Sequence, residues 1–344
     1  MSLADLPFQP IRGGLYTPEE LFAGFDPSHP MGYTAMRDFE VYRYFVRHGR
    51  ATPTDPLTSM MEALHDNAVN QALVAFLQRR RVVAIMGGHK VRRDTAAYAD
   101  VARLARELAR HGLLMASGGG PGAMEATHLG ALLSRSPDPA LDAALAVLAA
   151  EPELPASGHL VSAQGDVDRA VAERLHRWFR VAFELERAVE DRGESLAVPT
   201  WHYGHEPTSP FASHVAKYFQ NSIREDGLLA IATHGIVYSP GSAGTLQEVF
   251  QDAAQNFYHS FGDCFSPMVF YGVDFWTRAL PVRPLLEALF RTDPARAAEF
   301  ATQVLFTDDV AEIVAFLASR APSAAQLADH WQSLGSEERP ASKP

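Results

Sequence analysis

From residue 82 onward the chain alternates short apolar runs with segments of helical periodicity. Val82-Val83-Ala84-Ile85-Met86 has the length and content of a buried strand, and Leu113-Leu114-Met115-Ala116 has those of a second. Between them Ala97, Tyr98, Val101, Leu104, Ala105 and Leu108 recur at helical spacing, which predicts an amphipathic helix over 95–110. Further strands are expected over 196–199, in the run ending at Tyr238, and over 267–271 and 303–306. Helices are expected over 122–133, 167–191, 213–230, 275–290 (broken by Pro281 and Pro284) and 310–317. Apolar strands separated by helices signal an α/β fold, a parallel sheet flanked by helices with right-handed crossovers. Ligands of such sheets collect beyond the C-terminal ends of the strands.

The flanks differ from this core. Residues 1–80 read as an arm, punctuated by Pro and Gly to about Pro56, with a short helix over 36–47 and a longer one over 58–77. Residues 81–320 form the predicted sheet domain, interrupted at 134–166 by a Pro/Ala/Asp-rich insertion expected to be a helical excursion or mobile loop. Residues 321–344 read as a C-terminal helix and, after Leu334, a polar disordered tail.

Two glycine clusters carry the chemistry. Ser117-Gly118-Gly119-Gly120-Pro121-Gly122-Ala123-Met124-Glu125-Ala126 follows the second strand. Tyr238-Ser239-Pro240-Gly241-Ser242-Ala243-Gly244-Thr245-Leu246-Gln247-Glu248 follows a later one. Residues without a Cβ let backbone approach a ligand, and a helix beginning at such a turn offers free N–H groups and the positive end of its dipole to an anion. Thr245 adds a hydroxyl. Glu248 lies about one turn further along the helix, close to whatever carries the phosphate. Glu125 is a second acidic candidate, and Ser242 can add a phosphate contact.

Those two motifs resemble the paired signature of the Lonely Guy family of nucleotide phosphoribohydrolases, often mislabelled as lysine decarboxylases. The form Gly120-Pro121-Gly122-Ala123-Met124-Glu125-Ala126, with Met86-Gly87-Gly88-His89 and Thr233-His234-Gly235, is most similar to bacterial pyrimidine/purine nucleotide 5′-monophosphate nucleosidases. The resemblance runs from about Val82 to Leu317. It implies a Rossmann-like domain, a homo-oligomer of at least two subunits, and hydrolysis of a nucleoside 5′-monophosphate to free base and ribose 5-phosphate without metal or redox cofactor. It implies catalytic roles for Glu248 and for an arginine on the preceding helix. Here that arginine is Arg224, although ungapped matching sets Glu225 at the family's position, which would pass the role to Arg92 or Arg93. Phosphate and substrate contacts fall to Gly118, Gly119, Gly120, Gly122, Met124, Glu125, Gly241, Ser242, Gly244 and Thr245, with Gly88, His89 and Arg92 as further candidates. Ser242 replaces the second glycine of the family's turn and Gln247 replaces an acidic neighbour of the glutamate. The competing expectation is a nucleotide-binding sensor that keeps the fold without turnover.

Composition narrows the field. A formal net charge of −11 argues against gripping a nucleic-acid backbone. Arg79-Arg80-Arg81 reads as a cationic helix end. No apolar run approaches the ~20 residues needed to cross a bilayer, and the N-terminus lacks the features of a secretory signal, so a cytoplasmic protein is expected. The lone Cys264 is expected to be inert and partly buried. His202, His205 and Glu206 in the loop Trp201-His202-Tyr203-Gly204-His205-Glu206 make a poor metal set, and Trp201 or Tyr203 is the candidate for stacking on a base. Decarboxylation by a lysine-bound cofactor is disfavoured, since Lys90 and Lys217 are the only lysines near the motifs. A nicotinamide-dependent oxidoreductase is disfavoured because no G-x-G-x-x-G follows the first strand.

Overall fold

The computed structural model describes residues 6–53, 55–262 and 264–335. Its centre is a seven-stranded, all-parallel sheet: β1 (Val82–Met86), β2 (Leu114–Ser117), β3 (Ser195–Ala197), β4 (His214–Val215), β5 (Ile236–Tyr238), β6 (Met268–Tyr271) and β7 (Val304–Thr307). The spatial order is β4-β3-β2-β1-β5-β6-β7. The chain therefore builds outward from β1 to one edge, returns to the far side of β1, and builds to the other edge. This Rossmann-like α/β arrangement has its switch point between β1 and β5, where the two flanking connections diverge and leave a crevice at the strand ends.

Strand side chains alternate between two cores. Val82, Ala84 and Met86 face one side with Ala116, Tyr238 and Phe270, whereas Val83 and Ile85 face the other with Met115, Val237 and Val269. The second face is covered by helices Ala96–Arg110, Ala123–Leu132, Asp138–Leu148 and Val310–Ser319. Thr95 starts the first of these, its hydroxyl accepting from Tyr98 N. The first face is covered by helices Arg169–Arg187 and Ala243–Tyr258 and by the arm.

The arm is thus part of the main core. Phe8, Tyr16, Phe39, Tyr42 and Phe45 pack in the same cluster as the strands. Tyr16 and Val215 exchange both backbone hydrogen bonds at 2.9 Å, covering the sheet edge at β4. Helices Arg37–Arg47 and Pro56–Leu77 match the expected pair.

One expectation is corrected. The helix expected over 213–230 is split: His214–Val215 is an edge strand paired with β3, and only Asn221–Ile231 is helical. The sequence Ser213-His214-Val215-Ala216-Lys217-Tyr218-Phe219 satisfies a strand as well as a helix, and pairing with β3 decides it. The helix Pro294–Gln303 was not foreseen. The insertion at 134–166 takes the helical form, Asp138–Leu148, followed by a turn closed by Ser162 N to Asp166 O at 2.8 Å. Helix Ala324–Gly335 ends the described chain, and the tail expected beyond it lies outside the described residues.

Candidate active site

Loops after β1, β2 and β5 meet at the switch point. Gly88 N donates to Pro240 O at 3.3 Å, Ala123 N to Gly88 O at 3.1 Å and Ser239 N to Met86 O at 2.9 Å, so the three loops hold one another. Gly122 has φ 71°, and a Cβ there would collide with the Gly88 and His89 carbonyls. Its role is to let two loops touch. The loops open onto a cleft of about 460 Å³ lined by Gly87, Gly88, His89, Gly118, Gly119, Gly120 and Met124 on one side. Ser242, Ala243, Gly244, Thr245, Gln247 and Glu248 line a second side, with Arg224 and Glu225 beside them. The wall formed by Pro199, Thr200, Tyr203, His205, Glu206, Pro207, Thr208 and Lys217 completes it.

The helix Ala243–Tyr258 begins at this cleft without a side-chain cap. Its first intrahelical bond is Leu246 N to Ser242 O at 3.0 Å, so the N–H groups of Ala243, Gly244 and Thr245 have no backbone acceptor among the described residues. These three residues line the cleft, and a helix N-terminus of this kind is suited to an anion.

Arg224 enters the cleft from helix Asn221–Ile231. Nε donates to Val198 O at 2.9 Å, which leaves the Nη donors without a protein acceptor among the described residues. Nη2 lies against Gly118, where any Cβ would overlap it. Arg224 and not Glu225 is therefore the residue directed inward. Glu225 accepts from Asn221 Nδ2 at 2.7 Å and from Gln247 Nε2 at 3.2 Å at the rim. Glu248 is half-buried beside Arg224. Burial pushes its carboxyl up to about 7; the Arg224 charge opposes this and the Glu225 charge adds to it.

Other candidates lie elsewhere. Glu125 is outside the cleft: buried, it accepts from Arg93 Nη2 at 2.6 Å, Arg93 Nε at 2.8 Å and Tyr98 OH at 2.9 Å. Arg93 is held besides by Trp178 O at 3.0 Å and lies 3.6 Å over the Trp178 ring. That pair braces the helix behind the glycine loop. Arg92 is exposed, with Asp94 at 2.8 Å and Glu153 at 3.1 Å. Gly241 lines an adjoining groove with Gly88, Lys90 and Ser242. Trp201 is fully buried, its Nε1 donating to Asp38 Oδ1 at 2.9 Å, so it is core and not a stacking surface; Tyr203 is the exposed aromatic of that loop.

The far wall depends on the arm, which local sequence patterns did not reveal. Lys217 Nζ donates to Asp38 Oδ1 at 2.7 Å, Asp38 Oδ2 at 3.0 Å and Thr208 Oγ1 at 2.7 Å, saturating the one buried lysine of the cleft. Asp66 accepts from Phe219 N at 3.0 Å and Gln220 N at 2.9 Å, fixing the chain immediately before the helix that carries Arg224. His65 links Asp66, 3.0 Å away, to Tyr16 OH at 2.8 Å. Behind the glycine loop, His128 bridges Ser117 Oγ and Ser195 Oγ at 2.8 and 2.9 Å, and Ser117 Oγ accepts from Gly119 N. Full burial lowers His128 to about 3, so the bridge is a neutral imidazole. Neither a scan of protein-family models nor a search of curated proteins finds a match to this chain.

Proposed function

We propose that this protein hydrolyses the N-glycosidic bond of nucleoside 5′-monophosphates, releasing free base and ribose 5-phosphate. The observation that carries this reading is the convergence, in one cleft, of an uncapped helix N-terminus, an arginine whose Nη donors have no acceptor among the described residues, and a half-buried carboxylate one turn into that helix. The phosphate sits on the N–H groups of Ala243, Gly244 and Thr245, with the guanidinium of Arg224 as counter-charge. That contact is remote from the reacting carbon and supplies binding energy for positioning the sugar.

Glu248 then stands beside the ribose. As C1′ acquires oxocarbenium character a neighbouring carboxylate stabilises the positive charge, and the same group takes the proton of the attacking water. A carboxyl raised to about 7 is matched to that exchange near neutral pH. The reading uses no metal or redox cofactor and goes with a cytoplasmic homo-oligomer; among the described residues no helix is long and apolar enough to cross a membrane.

A panel of purine, pyrimidine and N6-substituted nucleoside 5′-monophosphates, assayed for both products, tests the reading. Equimolar base and ribose 5-phosphate are expected. Nucleotide binding without release of either product from any of them would favour the silent sensor instead.

A further inference from the structure

Besides Glu248 and the rim residue Glu225, the cleft holds a third carboxyl residue, Glu206. Glu206 belongs to the loop that lines the same cleft as the uncapped helix, next to Tyr203, His205 and Pro207. Its backbone is fixed by Glu206 N to Tyr203 O at 2.8 Å, whereas its carboxyl group has no hydrogen-bond or ion-pair partner among the described residues. Oε2 reaches over the glycine loop, 3.7 Å from where Gly120 would carry a Cβ. Arg224 is close enough to act electrostatically on both Glu206 and Glu248.

Position separates their roles. With the phosphate on the helix N-terminus and Glu248 one turn along, the sugar lies beside Glu248 and the base extends toward the wall that carries Tyr203 and Glu206. Building on the hydrolase reading above, we propose that Glu206 is the general acid that protonates the departing base. The C1′–N bond breaks with its electron pair passing to the base, which takes the Glu206 proton. Water forms the new C1′–O bond and gives its proton to Glu248. Both carboxyl groups return to their starting states by proton exchange with solvent, and the sum is nucleotide plus water to base plus ribose 5-phosphate.

The surroundings suit this division. Burial raises the Glu206 carboxyl above the ordinary range, against the charges of His89 and Lys90 from the loop after β1 and of Arg224 from its helix. A proton is thereby retained on the leaving-group side.

The test compares leaving groups that need a proton with one that does not. Nicotinamide mononucleotide departs as a neutral base from a cationic ring, whereas an ordinary purine nucleotide needs protonation. Glu206→Gln is expected to lower kcat for purine nucleotides by about 10² to 10⁴-fold. It is expected to lower kcat for nicotinamide mononucleotide by less than about tenfold, with ribose 5-phosphate binding retained. Equal losses on both substrates, or none on either, would overturn the role of Glu206 while leaving the hydrolase reading intact. No turnover by the wild type would overturn the reading itself. In the wild type the alkaline fall of kcat should be present for purine nucleotides and absent for nicotinamide mononucleotide. The same fall with both would overturn the proposal even where the variant does not fold.

Discussion

Arg224 and Gly118 are fitted to each other: the guanidinium Nη2 occupies the place where any side chain at position 118 would set its Cβ. Gly118→Ala must displace the arginine. A loss of about 10²-fold in kcat/KM is expected, because a shift of about 1 Å in a positioned group costs that much. Added to Arg224→Ala it should cost little more, since both changes remove the same contact. A double-mutant cycle on initial rates reads this directly, and fully additive losses would separate the two residues.

On the proposed hydrolase reading, the acidic limb of the pH profile belongs to Glu248. Its carboxyl must be ionised to accept the water proton, and burial raises it to about 7, so kcat should fall as pH drops below about 7. Arg224 opposes that rise. Arg224→Gln should therefore move the limb to higher pH, and a move to lower pH would contradict the pairing.

Asp38 and Lys217 join the arm to the cleft wall. Asp38→Ala leaves a buried ammonium without its counter-charge and should lower stability by about 3 to 5 kcal/mol. Chemical denaturation measures it. Because Thr208 and Trp201 lose the same acceptor, activity per folded molecule should fall too.

Glu125 separates scaffold from site. It pairs with Arg93 outside the cleft, so Glu125→Gln should destabilise the fold by several kcal/mol while leaving ribose 5-phosphate affinity within about threefold. Loss of affinity in a protein that stays folded would return Glu125 to the binding site.

Glu62 supplies a stability test of opposite sign. Both its carboxyl oxygens are buried without a hydrogen-bond partner among the described residues, and burial, aided by the nearby Asp66 charge, raises the group to about 8. The unfolded chain ionises near 4.5 while the folded one holds its proton, so this group's stabilisation is full below about pH 4.5 and is lost as pH rises to about 8. Glu62→Gln should flatten that slope and stabilise the protein at pH 8 by about 1 to 3 kcal/mol. Thermal unfolding across that range would show an unchanged slope if Glu62 were not the source.

These residues also show what sequence can carry. The strands at 82 and 113, the helix beginning after Thr95 and both glycine loops announce themselves by local pattern, since period and turn chemistry are local properties. The inward turn of Arg224 was legible only as one of two registers, and contact with Gly118 settles which side chain enters. The arm's part in the site was not legible. Asp38 meets Lys217, and Asp66 meets Phe219, across more than a hundred residues, and such pairings leave no local periodicity. Trp201 was open to both stacking and packing readings, because an aromatic in a loop reads the same whether it faces ligand or core. Glu206 was weighed only as a metal ligand, because its relation to Gly120 and Arg224 exists only after folding.

The most direct test follows hydrolysis of one purine nucleoside 5′-monophosphate by NMR, with wild type and Glu248→Gln in parallel, alongside calorimetric binding of ribose 5-phosphate to each. Base and ribose 5-phosphate should appear in equal amounts with wild type and at least about 10²-fold more slowly with the variant, at similar affinity. Undiminished turnover by Glu248→Gln, or binding with no turnover by the wild type, would contradict the assignment.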